Sequence, residues 1–292
     1  VLHHLHINTR LDRHLAPTSV PKPPSPTHKM LHGSPAHTPE RPLKAQLKEL
    51  FLEAKGVVAV VGCGPGLGSS VAFKFAERGF DVALMSRKAE SCADVQSKIK
   101  ALDRKTIFVP TDVTDEKKVA AGFKEVEEKL GPVKVLVFNA SGPNASGSGV
   151  LGMSIDDVKN RWNVEVLGAL LCARAVLPGM LRDKTGTLLF TSSTAAFRGS
   201  ASSPGLAIAK HGLRALSSSI AKEYASRGIH ACHIRIDCGI ATPKMLAKYP
   251  QAKGKLGDPD EMAKTYYFLH TQNKMAWTNE IDIRPQTENW TC

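Results

Sequence analysis

The run Val57-Val58-Ala59-Val60-Val61 leads directly into Gly62-Cys63-Gly64-Pro65-Gly66-Leu67-Gly68. A glycine after a strand permits a tight turn. Later glycines let backbone amides and a helix N-terminus approach a pyrophosphate. Gly62, Gly66, Leu67 and Gly68 are therefore candidates for holding a dinucleotide; the alternative is a tight strand-to-helix turn with no ligand. The next apolar run ends in Met85-Ser86-Arg87-Lys88, with no acid in reach. An acid at that place suits a ribose 2′-hydroxyl, whereas two cations and a hydroxyl suit a 2′-phosphate. Ser86, Arg87 and Lys88 thus favour NADP(H) over NAD(H), the alternative being that the two cations open a helix on a solvated face.

These residues need a scaffold. Short apolar runs at 57–61, 82–85, 106–109, 133–138, 187–191 and 229–236 are rich in β-branched residues and bounded by Gly, Pro, Asp or Asn. Those are the marks of strands. Helix-period segments lie between them near 67–79, 89–102, 115–130, 154–182 and 203–227. Strands apolar on both faces that alternate with helices predict a parallel sheet covered on both sides. The expected fold class is α/β: a single doubly wound, Rossmann-type parallel sheet within residues 43–292.

The spacing of Gly62, Gly66 and Gly68, G-x-x-x-G-x-G, resembles that of the short-chain dehydrogenase/reductase family, and the resemblance covers nearly all of 55–285. Asp112-Val113 after the third run resembles the family's adenine-contacting pair. Asn139-Ala140-Ser141-Gly142 resembles its NNAG segment, and Ser192-Ser193 closes the run that carries its catalytic serine. The resemblance implies hydride transfer between a nicotinamide and a carbonyl or alcohol. In such enzymes a tyrosine passes the proton, and a lysine one helical turn later lowers the phenol pKa and holds the nicotinamide ribose. A serine polarises the substrate oxygen, and an asparagine supports a water on the proton path. The resemblance also implies that Thr242 contacts the nicotinamide carboxamide. By the same analogy, 154–182 and 203–227 pair across interfaces of a homodimer or homotetramer.

The proton-transfer residues depart from the pattern. Lys210 matches the family lysine, but Leu206 stands where the tyrosine is expected. The chain's tyrosines, 224, 249, 266 and 267, lie outside that segment, and Tyr224 is about five turns further along the same helix. The family's V-N-x-x-G matches Val164-Glu165-Val166-Leu167-Gly168, so Glu165 replaces the asparagine, while Asn163 faces another side. The usual Pro-Gly after the sixth run reads Asp237-Cys238.

A missing general acid costs about 10²–10⁴-fold in rate, which leaves residual turnover open. Ser193, Lys210, Glu165 or a water is then left to carry the proton. A carboxyl buried beside a polar network can retain a proton; the alternative for Glu165 is a tolerated replacement in a decayed site. Two function classes remain in competition. One is an NADP(H)-dependent oxidoreductase with altered proton transfer. The other is a weak or inactive relative that binds NADP(H) as a sensor or assembly module.

Composition removes other classes. The chain of 292 residues carries 39 Lys+Arg against 27 Asp+Glu, a net charge of +12. The basic residues are dispersed and no nucleic-acid-binding motif appears, so nucleic acid is not expected as a partner. The apolar runs are short, and no membrane span is expected. Cysteines 63, 92, 172, 232, 238 and 292 show no paired spacing, which argues for reduced thiols and against structural zinc. His230 and His233 alternate on one run and form no metal pair, and His211 falls on a helix surface. The segment 243–258 reads as a solvated substrate lid carrying four lysines.

Residues 1–42 hold eight of the 18 prolines and seven of the 11 histidines, and read as a disordered extension. The expected location is cytoplasmic, or an organelle if this acid-poor stretch is a transit peptide.

Overall fold

The computed structural model describes residues 55–142 and 149–288. The expectation for 1–42 lies outside them. Val57–Val61 forms β1, and its alternating side chains feed two cores. Val57, Ala59 and Val61 face one core, and Val58 and Val60 the other. That two-sided burial is why the run is apolar throughout. Each fully buried valine or leucine contributes roughly 1.5–3 kcal/mol.

The remaining strands are β2 (Asp81–Ser86), β3 (Thr106–Pro110), β4 (Val133–Phe138), β5 (Gly186–Ser193), β6 (Ile229–Ile236) and β7 (Glu280–Ile283). They make one parallel sheet in the order β3-β2-β1-β4-β5-β6-β7. The helices of six or more residues are α1 (Leu67–Glu77), α2 (Ala93–Lys100), α3 (Glu116–Leu130), α4 (Ile155–Trp162), α5 (Gly168–Asp183), α6 (Pro204–Tyr224), α7 (Pro243–Lys248) and α8 (Pro259–His270). Helices α3, α5 and α6 bury their apolar faces in one core; α1, α2 and α8 bury theirs in the other. This is the expected doubly wound α/β fold.

Three elements differ from the expectation. Strand β7 was not anticipated, because Glu-Ile-Asp-Ile at the sheet edge is polar and half-exposed. Helix α8 was missed as well. Asp258 caps it by accepting from Asp260 N and Glu261 N, and Pro259 opens its first turn. The presumed lid is partly helical, since Thr242 caps α7 by accepting from Met245 N.

The long helical run Ile155–Asp183 is broken into α4 and α5 by a π-helical turn over Asn163–Leu167. By length and composition this run is apolar enough to cross a bilayer, the one such helix among the described residues. Half of its most apolar window is buried, and α5 packs on α3, β4 and β5, as a core helix does.

The strand order reverses between β1 and β4. In open α/β sheets a crevice forms at that point, outside the carboxyl ends of the strands. Gly62 and Asn139 flank it here.

Candidate active site and nucleotide groove

Beyond β1 the chain turns sharply at Gly62, whose φ is +84°. A Cβ there would meet Ala140 N at 2.4 Å, so the position excludes any side chain. Gly66, with φ +132°, is the N-cap of α1, and a Cβ on it would meet Thr242 Cγ2 at 2.6 Å. Asn139 braces the turn from β4: its Nδ2 donates to Gly62 O at 3.0 Å and its N to Val61 O at 2.8 Å. The amide end of α1 therefore opens toward the crevice with no acid in its first turn.

Two cavities line this crevice and share Gly62, Asn139 and Ser141. The first, about 450 Å³, is walled by Ser86, Arg87, Lys88, Asp112, Val113 and Ala140. Asp112 accepts from Thr114 N and Oγ1 at 3.0 and 2.7 Å, and these bonds hold its carboxyl below the usual range. Ser86 Oγ donates to Lys88 O at 3.1 Å, which shapes the cationic loop after β2.

The second cavity, about 440 Å³, brings together Leu67, Gly68, Ser193, Lys210, Leu206 and Thr242. Leu206 thus lines the cavity where the tyrosine was expected. Ser192 Oγ and Ser193 Oγ are buried without a hydrogen-bond partner among the described residues. Such hydroxyls are costly unless something else pairs with them. Tyr224 ends α6, far from this point.

Glu165 sits behind the cavity wall, in the π-helical turn, and is fully buried. Its Oε1 accepts from Ser141 Oγ, Gly142 N and Arg161 Nη1, each at 3.0 Å. Its Oε2 lies 3.0 Å from Lys210 Nζ, which also donates to Thr191 O at 3.3 Å. Arg161 and Lys210 are themselves buried. A buried charge needs counter-charges and hydrogen bonds, and this carboxylate has both.

Arg161 was missed at the sequence level. Its spacing of one turn before Glu165 was the available signal. Asp237, in place of the family proline, pairs with Arg284 at 2.8 Å.

His211 is on the helix surface, as expected, and its Nδ1 is 2.8 Å from Ala207 O. His230 stacks on Trp277 at 4.9 Å, and no group of metal-ligating side chains occurs among the described residues. The cysteines do not stay apart, however. Cys92 Sγ donates to Cys63 O at 3.5 Å, a proximity that sequence spacing could not reveal because it depends on β1 lying beside β2.

The chain is 28% identical to an uncharacterized oxidoreductase of Staphylococcus aureus over 229 residues, covering 78% of this chain and 96% of that protein. The crystal structure of a short-chain dehydrogenase from Rhodopseudomonas palustris superposes with a TM-score of 0.67 at 29% identity, covering 79% and 98% of the two chains. A metagenomic short-chain oxidoreductase solved in complex with NADP shares the fold, with a TM-score of 0.68 at 24% identity and coverage of 80% and 98%. The short chain dehydrogenase family model matches residues 56–254, most of the folded part. On its parallel sheet, its glycine turn and that match, this chain belongs to the short chain dehydrogenase family of oxidoreductases.

Proposed function

We propose that the protein is an NADP(H)-dependent oxidoreductase acting on a carbonyl or alcohol, with altered proton-transfer residues. The observation that carries this reading is that the two cavities lie side by side on a shared wall. A cationic loop of Ser86, Arg87 and Lys88 and a cavity with Ser193 and Lys210 share the wall of Gly62, Asn139 and Ser141. The residues fit such a cofactor. Gly62 and Gly66 leave no room for a Cβ against Ala140 and Thr242, which both line the cavities, and α1 begins there with its free amides.

When bound, the nicotinamide supplies or accepts the hydride. Gly62, Gly66, Leu67 and Gly68 would hold the pyrophosphate, and Asp112, Val113, Asn139 and Ala140 the adenosine side. Thr242 would hold the carboxamide. Arg87 and Lys88 would neutralise the 2′-phosphate, with Ser86 as hydroxyl partner. Ser193 Oγ donates to the substrate oxygen. Lys210, on the cavity wall, supplies positive charge and the proton. Glu165 is a positioning residue: it is shut behind the wall and holds the Lys210 ammonium.

Leu206 favours a second reading, a weak or inactive NADP(H)-binding module, because it puts an alkyl group where the proton donor belongs. We further propose a homodimer or homotetramer; Ile155, Trp162, Leu167 and Ile208 are large apolar side chains left exposed on α4, the π turn and α6.

NADPH and NADH titrations, with carbonyl turnover measured on the same preparation, test the proposal. NADPH binding tighter than NADH together with turnover supports it. Tighter NADH binding overturns the cofactor choice. Micromolar NADPH binding with no turnover across a carbonyl panel selects the module.

A further inference from the structure

The glycine turn and the cationic loop meet at two thiols. Cys63 follows Gly62, and Cys92 is the N-cap of α2. Gly62 N and Cys63 N both donate to Met85 O, at 2.8 and 3.3 Å, which ties the turn to the end of β2. Cys92 then comes from 29 residues away to donate to Cys63 O at 3.5 Å. Ser86 Oγ lies 3.5 Å from Cys92 Sγ. Both thiols are buried within the fold, yet Cys63 lines the 450 Å³ cavity beside Ser86, Arg87, Lys88 and Ser91.

We propose that Cys63 and Cys92 form an oxidisable pair, which a peroxide converts to a disulfide at the ribose-phosphate corner of the groove. The two sulfurs have unequal roles. The neighbouring Cys63 thiol, with the Ser86 and Ser91 hydroxyls, brings Cys92 below the usual thiol range. Cys63 is pushed up, first by the neighbouring Cys92 thiol and then by burial. Cys92 is the nucleophile and Cys63 the resolving thiol.

The Cys92 thiolate attacks one oxygen of hydrogen peroxide, the O–O bond breaks, and hydroxide leaves. The sulfenic acid on Cys92 is then attacked by the sulfur of Cys63, which gives up its proton. An S–S bond forms, the S–O bond breaks, and water leaves. Two thiols are oxidised by two electrons and one peroxide is reduced to two waters. A disulfide holds its Cβ atoms about 3.5–4.5 Å apart, so closing it fixes the Ser86–Cys92 loop to the glycine turn.

The consequence for NADP(H) rests on the proposed function; the disulfide itself does not. A cofactor lying over Cys63 protects the pair, and by linkage the disulfide weakens the cofactor.

The full chain is treated with hydrogen peroxide with and without saturating NADPH, and its peptides are mapped by mass spectrometry. The expected result is a Cys63–Cys92 linked peptide, two hydrogens lighter and reversed by dithiothreitol. It forms more slowly with NADPH, and NADPH affinity falls at least about tenfold in the oxidised protein. Cys63→Ser is expected to stop at a sulfenic or sulfinic acid on Cys92, and Cys92→Ser to form no link.

Oxidation of Cys238 while Cys63 and Cys92 remain thiols overturns the proposal. So does a linked peptide that pairs either cysteine with another partner. A Cys63–Cys92 disulfide that leaves NADPH affinity unchanged overturns the link to the cofactor. NADPH titration of the reduced protein fails separately if the cofactor reading is wrong.

Discussion

Lys210 Nζ lies 3.0 Å from Glu165 Oε2, with both side chains buried. The lysine that should serve a phenol one turn away therefore has a carboxylate as its partner. Lys210 is coupled to Glu165 in place of a phenol. Leu206 leaves the ammonium without a phenol, and Glu165 gives it a counter-charge.

Restoring the phenol tests that coupling. Leu206→Tyr alone is expected to raise NADPH-dependent carbonyl reduction modestly, because Glu165 still holds Lys210. Leu206→Tyr with Glu165→Asn is expected to gain about 10²–10⁴-fold, the worth of a positioned general acid. Steady-state kcat/KM on a carbonyl panel measures this; a double variant no better than wild type would show that the site fails for another reason.

The ion pair also sets stability. Glu165→Leu leaves Arg161 and Lys210 buried beside an alkyl group and is expected to cost about 3–5 kcal/mol in urea unfolding. Lys210→Met is expected to cost less, since Arg161 still pairs with Glu165 at 3.0 Å. Equal losses in the two variants would contradict the shared-carboxylate arrangement.

Cofactor choice is expected to follow the β2 loop. Arg87→Ala and Lys88→Ala each remove a charge-assisted contact worth about 1.5–3 kcal/mol. NADPH affinity should drop roughly 10–100-fold, with NADH changed little. Fluorescence titration with both nucleotides gives the answer, and a parallel loss for both would count against a 2′-phosphate site.

Gly62 combines a φ of +84° with a forbidden Cβ position 2.4 Å from Ala140 N. Gly62→Ala is expected to weaken nucleotide binding at least about tenfold and lower the melting temperature, because backbone strain of this kind costs of order 1–3 kcal/mol before any clash. Near-normal binding by this variant would mean that the turn is free to open.

His233 gives a pH dependence. Burial pushes its imidazole down to about 4; Glu280 opposes this, while Arg214, Lys210 and Arg235 reinforce it. An unfolded histidine takes its proton near 6.5. Between those values the unfolded chain binds more protons, so stability rises with pH across the window and falls on acidification. Melting temperatures from about pH 7 to pH 4 should slope less in His233→Gln; identical slopes would remove His233 as the cause.

The places of six strands along the chain, the glycine turn, the cationic loop and the absence of the tyrosine were all legible in the sequence. Each is a local pattern: periodicity shows which residues are buried, and glycine shows where a side chain is forbidden. β7 escaped because an edge strand buries little and carries no apolar run. Arg161 and Glu165 stand one helical turn apart, but the approach of Lys210 to Glu165 and the Cys63–Cys92 contact were decided by the tertiary structure alone. Packing of α4 against α6, of α6 onto the sheet, and of β1 beside β2 brings together side chains that are distant in sequence, and no local periodicity encodes such an approach.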